Sequence, residues 1–152
     1  MIQLNRILLP TDFSDHSLQA GHYAVELAKR FEAQIHLLHV IESPMLAMPS
    51  PGAPLPESVL SDLEGNAKKQ LQNWLATELK PIRVTRQTLY GTPFVEIVRY
   101  SKDQQIDLIV LGTHGLSGLT HALIGSVAEK VVRKAPCPVL TVRKQGHQFV
   151  MP

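Results

Sequence analysis

A glycine-rich segment constrains the fold of this chain more than any other feature. It begins after the apolar run at residues 107–111, extends to Gly125, and leads into a helical pattern at residues 127–134. Glycine lets the backbone turn tightly and approach a ligand without a Cβ in the way. Free N–H groups at the start of a helix attract anions. The order strand, glycine-rich loop and helix therefore predicts a site that holds phosphate groups.

The spacing of the glycines narrows the type of site. No Gly-Lys-Ser or Gly-Lys-Thr is present, which excludes a Walker A loop, and the G-x-G-x-x-G dinucleotide fingerprint is absent as well. The pattern is Gly-x2-Gly-x9-Gly-Ser, formed by Gly112, Gly115, Gly125 and Ser126. A glycine-rich connection that binds nothing is the alternative interpretation.

Length and composition indicate one cytoplasmic domain over residues 1–152. The 152 residues can bury a sizeable core, and a net charge of +2 with scattered basic residues argues against a nucleic-acid partner. The apolar runs are too short for a membrane helix, and the N-terminus lacks the features of a signal peptide. The lone cysteine, Cys137, excludes an internal disulfide and fits a reducing compartment.

Short apolar runs alternate with helical patterns along the chain. We predict five strands, at residues 6–10, 34–41, 82–89, 107–111 and 139–142. This alternation predicts an α/β fold with one doubly wound, five-stranded parallel sheet and helices on both faces. With strand order 3-2-1-4-5, Thr11 and Asp12 after the first strand would face the glycine loop after the fourth across one crevice.

Local signals place the helices and one long loop. Ser14 or Asp15 is the expected N-cap of the first helix, and Thr92 with Pro93 marks the start of another. A long helix through residues 60–75 is expected to stop before Pro81. Residues 43–56 contain five prolines, which predicts a loop that is either a flap near the site or an unconstrained insertion.

Several motifs resemble the universal stress protein family in its ATP-binding branch. Besides the glycine pattern, they are Ile7-Leu-Leu-Pro-Thr-Asp12, Gly91-x-Pro93, Asp107-Leu-Ile-Val-Leu-Gly112 and Pro136-Cys-Pro-Val-Leu-Thr-Val142. The likeness covers the chain from Arg6 to Arg143 and implies an adenine nucleotide α-hydrolase-like fold.

The resemblance also implies a ligand, a set of site residues and an assembly. The ligand would be ATP, together with Mg²⁺. The site would also include the residues at the end of the first strand, and His114 beside the phosphates. The whole predicted nucleotide site comprises Pro10, Thr11, Asp12, Val40, Leu111, Gly112, His114, Gly115, Gly125, Ser126 and Val127. The chain would dimerise through its last strand, formed by Val139, Leu140, Thr141 and Val142.

Two site residues raise questions of chemistry. An uncompensated Asp12 would repel a triphosphate, so its carboxylate is expected to accept a hydrogen bond from adenine or ribose, or to help hold Mg²⁺. Ser126 and Glu129 form a capping-box pattern, in which the serine hydroxyl serves its own helix. Because a hydroxyl is both donor and acceptor, capping and phosphate contact are compatible.

The other polar residues suggest no metal site. His36 and His39 lie three residues apart in a strand and face opposite sides, so they cannot share one ion. His114 and His121 lack a cysteine or carboxylate at ligand spacing, and His114 either borders the phosphates or points into solvent. We interpret Cys137 as a small packing residue.

The sequence argues against efficient phosphoryl transfer. Efficient phosphoryl transfer needs lysine, arginine and Mg²⁺ around the phosphates, and the glycine loop contains no lysine. The sequence favours a regulator of stress response that binds ATP and acts through a partner protein, with at most slow hydrolysis. A weak ATPase or nucleotidyl transferase on the same fold and a dimerisation scaffold that binds no nucleotide are the alternatives.

Overall fold

Strands and helices alternate along the chain as the sequence predicts, except that two helices instead of one connect the second and third strands. The structure is a computed structural model that describes residues 1–42, 55–115 and 124–144. Within these residues the elements are β1 (Arg6–Pro10), α1 (Asp15–Phe31), β2 (Gln34–Ile41), α2 (Glu57–Asn73), α3 (Ala76–Leu79), β3 (Val84–Tyr90), α4 (Pro93–Asp103), β4 (Leu108–Gly112), α5 (Ser126–Lys134) and β5 (Val139–Val142). Most of the predicted proline-rich loop and residues 145–152 lie outside the described residues.

The five strands form one parallel sheet in the order β3-β2-β1-β4-β5. This confirms the predicted fold class and strand order. The chain first builds outward from β1 to β2 and β3, then crosses to the other side of β1 for β4 and β5. The direction of winding therefore reverses between β1 and β4, and the segments that follow these two strands lead to helices on opposite faces of the sheet.

Each face of the sheet has its own apolar core. Ile7 and Leu9 of β1 pack with α1, α2 and α3 on one face, whereas Leu8 packs with α4 and α5 on the other. All three of these side chains are fully buried. Burying one such side chain contributes about 1.5–3 kcal/mol, and covering both faces explains why the inner strands read as continuous apolar runs.

Two of the three predicted helix starts are found where the sequence placed them. Ser14 caps α1, with its hydroxyl accepting the Ser17 N–H at 3.2 Å. Thr92 occupies the N-cap position of α4 and Pro93 the first helical position, although the Thr92 side chain makes no capping hydrogen bond. The capping box at Ser126 is wrong, because α5 begins one residue earlier than that motif requires: Gly125 is the N-cap and Ser126 is already helical.

The predicted long helix before Pro81 is interrupted. Leu75 adopts a left-handed conformation with φ of 50°, which ends α2 and starts the short α3. This turn allows both Leu71 of α2 and Leu79 of α3 to enter the core on the α1 side of the sheet. The bend is a packing solution that helical periodicity alone does not reveal.

The two histidines of β2 face opposite sides of the sheet, as alternation predicts. His36 is buried beneath α4, where its Nδ1 lies 2.9 Å from the Tyr100 hydroxyl. His39 contacts Phe13 and Thr11 on the other side. Burial, with the nearby Arg6 charge, lowers the pKa of His36 below its ordinary value.

This buried histidine makes the fold sensitive to acid. Because the pKa of His36 is lower in the folded chain than in the unfolded chain, protonation below about pH 6.5 favours unfolding. The resulting loss approaches at most about 1.4 kcal/mol per pH unit between the two pKa values. We expect His36→Gln to lose less stability than the wild type between pH 7.5 and pH 5, as measured by urea unfolding. Equal losses in the two proteins would contradict this assignment.

None of the helices in the described ranges is long and apolar enough to cross a membrane.

Candidate functional site

A cavity of about 410 Å³ opens at the carboxyl ends of β1 and β4, where the winding reverses. Its lining comes from β1, β2, β4, the starts of α1, α4 and α5, and the segments that follow β1, β2 and β4. The structure brings every predicted site residue to this cavity: Pro10, Thr11, Asp12, Val40, Leu111, Gly112, His114, Gly115, Gly125, Ser126 and Val127.

The cavity also contains residues that the sequence did not single out. They are Ser17, Leu38, Glu42, Pro93, Ile97, Thr113 and Ala128. Leu38 and Glu42 share a strand face with Val40 through the period of two, so that alternation could have found them. Ser17 and Ile97 gave no such signal, because their positions depend on how α1 and α4 pack against the sheet.

One wall of the cavity is apolar and another exposes backbone groups. Leu38 and Val40 of β2, Ile97 of α4 and Leu111 of β4 form the apolar wall. Gly125 and the first residues of α5 present the helix start to the same cavity. A flat apolar ring and a phosphate group would each find a suitable surface here.

Three of the predicted glycines are required by close contacts within the protein. A Cβ on Gly112 would lie 2.8 Å from the backbone of His16, and one on Gly125 would lie 2.9 Å from the Thr113 carbonyl oxygen. A Cβ on Gly115 would lie 2.5 Å from a carboxylate oxygen of Asp12. The glycine pattern therefore holds the segment after β4 tightly against both α1 and the start of α5.

Side-chain hydrogen bonds order the segment between β1 and α1. The Asp12 carboxylate accepts the Ser14 N–H at 3.0 Å, and the Thr11 hydroxyl oxygen accepts the Phe13 N–H at 2.9 Å. The Ser17 hydroxyl donates to the Ser14 carbonyl at 2.8 Å, so the Thr11 hydroxyl donates to Ser17, 3.0 Å away. These bonds fix the side chains of Thr11 and Asp12 at the cavity edge.

Two histidines lie together beside the glycine segment. The rings of His16 and His114 are 5.3 Å apart, and Nδ1 of His114 lies 3.1 Å from the Thr113 hydroxyl. Burial, then the charges of His114 and Lys144, lower the pKa of His16, against the opposing effect of Asp12 and Asp15. This lowering of the pKa favours the neutral form of His16 at pH 7.

The charges on the cavity lining are predominantly negative. Asp12 and Glu42 supply carboxylates, and none of the described lining residues is lysine or arginine. Residues 116–123 of the glycine-rich segment contain neither residue type in their sequence. Among the described residues there is also no group of three or more histidine, cysteine, aspartate or glutamate side chains that could hold a metal ion.

The backbone of Val40 faces the cavity in a specific direction. Along β2, the Leu38 carbonyl accepts a hydrogen bond from Thr11 on the β1 side, and the Ile41 carbonyl accepts one from Gly91 on the β3 side. Because peptide groups alternate in direction along a strand, the N–H and C=O of Val40 point toward the β1 side. Since β1 ends at Pro10, they open onto the cavity edge.

Comparison with known proteins places the chain in a family. The model of the universal stress protein family matches residues 3–143. Universal stress protein MJ0531 of Methanocaldococcus jannaschii is 38% identical over 145 residues, an alignment that covers 91% of this chain and 82% of that protein. The chain belongs to the universal stress protein family.

Solved structures agree with this membership. The structure of UspA from Lactobacillus plantarum matches this universal stress protein with a TM-score of 0.76 and 32% identity, over 94% of this chain and 100% of that one. A universal stress protein solved in complex with cAMP matches with a TM-score of 0.72 and 23% identity, over 95% of this chain and 100% of that one. At that identity the second likeness supports the shared fold.

Proposed function

We propose that this universal stress protein is a cytoplasmic regulator that binds ATP and changes a partner interaction when the nucleotide is bound. The observation that carries the proposal is the cavity at the switch point, which combines an apolar wall with a glycine-bounded helix start. The proposal is supported by a structural neighbour solved with cAMP, which also carries an adenine base. The lone cysteine favours a reducing compartment.

The adenine base would lie between the apolar side chains and against the end of β2. The N–H of Val40 can donate to a ring nitrogen, and its C=O can accept from an amino group. Adenine presents this pair of groups along its Watson–Crick edge, as N1 and the 6-amino group. Leu38, Ile97 and Leu111 would cover the faces of the ring.

The phosphates would lie at the start of α5. The N–H groups of the first turn of α5 and the backbone next to Gly115 would donate to phosphate oxygens. Mg²⁺ prefers carboxylates together with phosphate oxygens, and Asp12 and Glu42 are the carboxylates on the lining. The cation would neutralise charge between these carboxylates and the phosphates.

A regulator fits this lining better than an efficient phosphoryl-transfer enzyme does. Without lysine or arginine among the described lining residues, little would stabilise the charge that develops during transfer. A weak ATPase or nucleotidyl transferase remains the second candidate. Repeated turnover that releases phosphate or pyrophosphate would favour it, whereas bound ATP recovered intact would favour the regulator.

We also propose a homodimer formed through β5. This strand lies at one edge of the sheet, and the side chains of Val139, Leu140 and Thr141 are only half-buried. An edge strand offers backbone groups that can pair with a second copy. A dimer mass in solution that becomes monomeric on Leu140→Lys would support this arrangement.

The binding proposal is tested by thermal unfolding with ATP, ADP and AMP, each with Mg²⁺. A ligand at one hundred times its dissociation constant adds about 2.7 kcal/mol. For a domain of this size the unfolding midpoint then rises by roughly 5–10 °C. We expect such a rise with ATP. No rise in protein freed of bound nucleotide would instead support a scaffold that binds no nucleotide.

A further inference from the structure

The pairing of β1 with β2 ends abruptly beside Val40. Their register runs from Arg6 opposite Gln34 to Pro10 opposite Leu38, and the Thr11 N–H still donates to the Leu38 carbonyl at 2.9 Å. If the parallel ladder continued, the next two bonds would join the Val40 N–H to the Thr11 carbonyl and the Phe13 N–H to the Val40 carbonyl. Within the described residues, neither bond is formed.

The Thr11 carbonyl and the Phe13 N–H, which would extend the ladder from the β1 side, form hydrogen bonds with side chains instead. Nδ1 of His39 lies 2.8 Å from the Thr11 carbonyl oxygen, and because a carbonyl can only accept, Nδ1 carries the proton. The Phe13 N–H donates to the Thr11 hydroxyl instead of to Val40. The chain then turns away from β2 at Phe13, whose φ of 64° lies in the left-handed region.

The imidazole of His39 is held in place from the side of the sheet opposite the cavity. Its ring centroid lies 4.5 Å from that of Phe13, with 33° between the ring planes. Phe13 in turn packs against the core on the α1 side, and His39 is not part of the cavity lining. His39 therefore meets Thr11 without entering the space that a ligand would occupy.

We propose that His39 is a positioning residue for base recognition. By occupying the Thr11 carbonyl, it prevents the ladder from closing over Val40 and keeps the Val40 N–H and C=O open to the base. This inference rests on the proposed nucleotide function. It means that a side chain on the face of the sheet opposite the cavity helps to determine which edge of adenine is bound.

The test compares His39→Leu with His39→Asn. The two new side chains have nearly the same shape, but only the asparagine amide can donate to the Thr11 carbonyl. In His39→Leu we expect the Val40 amide to exchange its hydrogen more slowly in nucleotide-free protein, because Thr11 becomes its acceptor. The dissociation constant for ATP with Mg²⁺ should rise about tenfold, as for one lost hydrogen bond to the ligand. His39→Asn should restore both values toward wild type.

The proposal would be overturned if His39→Leu left the hydrogen-exchange rate of the Val40 amide and the nucleotide affinity unchanged. It would also be overturned if His39→Asn behaved like His39→Leu. His22→Leu is the matched control, since His22 is an exposed histidine of α1 outside the cavity lining, and it should change neither reading. The proposed function fails separately, by absence of nucleotide binding in the wild type. In that case the hydrogen-exchange rate of the Val40 amide in nucleotide-free protein still tests whether His39 keeps the Val40 N–H from bonding to the Thr11 carbonyl.

Discussion

Gly125→Val is expected to weaken ATP binding at least about 100-fold, equivalent to about 2.7 kcal/mol. A Cβ at this position would lie 2.9 Å from the Thr113 carbonyl oxygen and 3.3 Å from the Cα of His114. Both contacts are with backbone, so no change of rotamer relieves them. The start of α5 must then separate from the segment after β4, which removes the helix N–H groups from the phosphates. Isothermal titration with ATP and Mg²⁺ measures the loss.

The variant should remain folded, because Gly125 lies at the cavity edge and outside both apolar cores. Gly65→Val is the matched control: it makes the same substitution inside α2, where an added Cβ meets nothing within 4 Å. Valine is a slightly better helix former than glycine, so Gly65→Val should bind ATP like the wild type and be no less stable. ATP affinity in Gly125→Val within threefold of wild type would show that the proposed phosphate site is wrong.

The sequence predicts the sheet well because the strands are short and buried on two faces. The bounds of β1, β2 and β5 agree with the predicted residues, while β3 and β4 are shifted by one or two residues. The predicted strand order, in turn, implies that the polar residues after β1 and the glycines after β4 share a crevice. The structure places both sets on the same cavity.

The features that the sequence could not predict depend on contacts between distant segments. The left-handed Leu75 is required by the packing of α2 and α3 against the core, and no turn residue marks it. His39 acts on Thr11 across 28 residues of chain, which only the pairing of β1 with β2 reveals. The sequence from Ser126 to Glu129 matches a capping box, but in the structure Gly125 is the N-cap of α5.

Because the cavity lining carries negative charge, the charge of the nucleotide is expected to affect its affinity. Two unit charges 8 Å apart repel by about 2 kcal/mol at an effective dielectric constant of 20. ATP without a cation would bring several negative charges toward Asp12 and Glu42, with no lysine or arginine among the described lining residues. Removing Mg²⁺ with a chelator is therefore expected to weaken ATP binding by about 100-fold.

Adenosine separates this effect from any general damage by the chelator. It carries the same base and ribose without phosphate, so its affinity should be the same with and without Mg²⁺. Asp12→Asn removes one negative charge and should reduce the chelator's effect on ATP by roughly tenfold. If ATP binds equally well without Mg²⁺, the protein itself must neutralise the phosphates. The helix start of α5 and His114, which line the cavity near Gly115, would then be the groups to replace next.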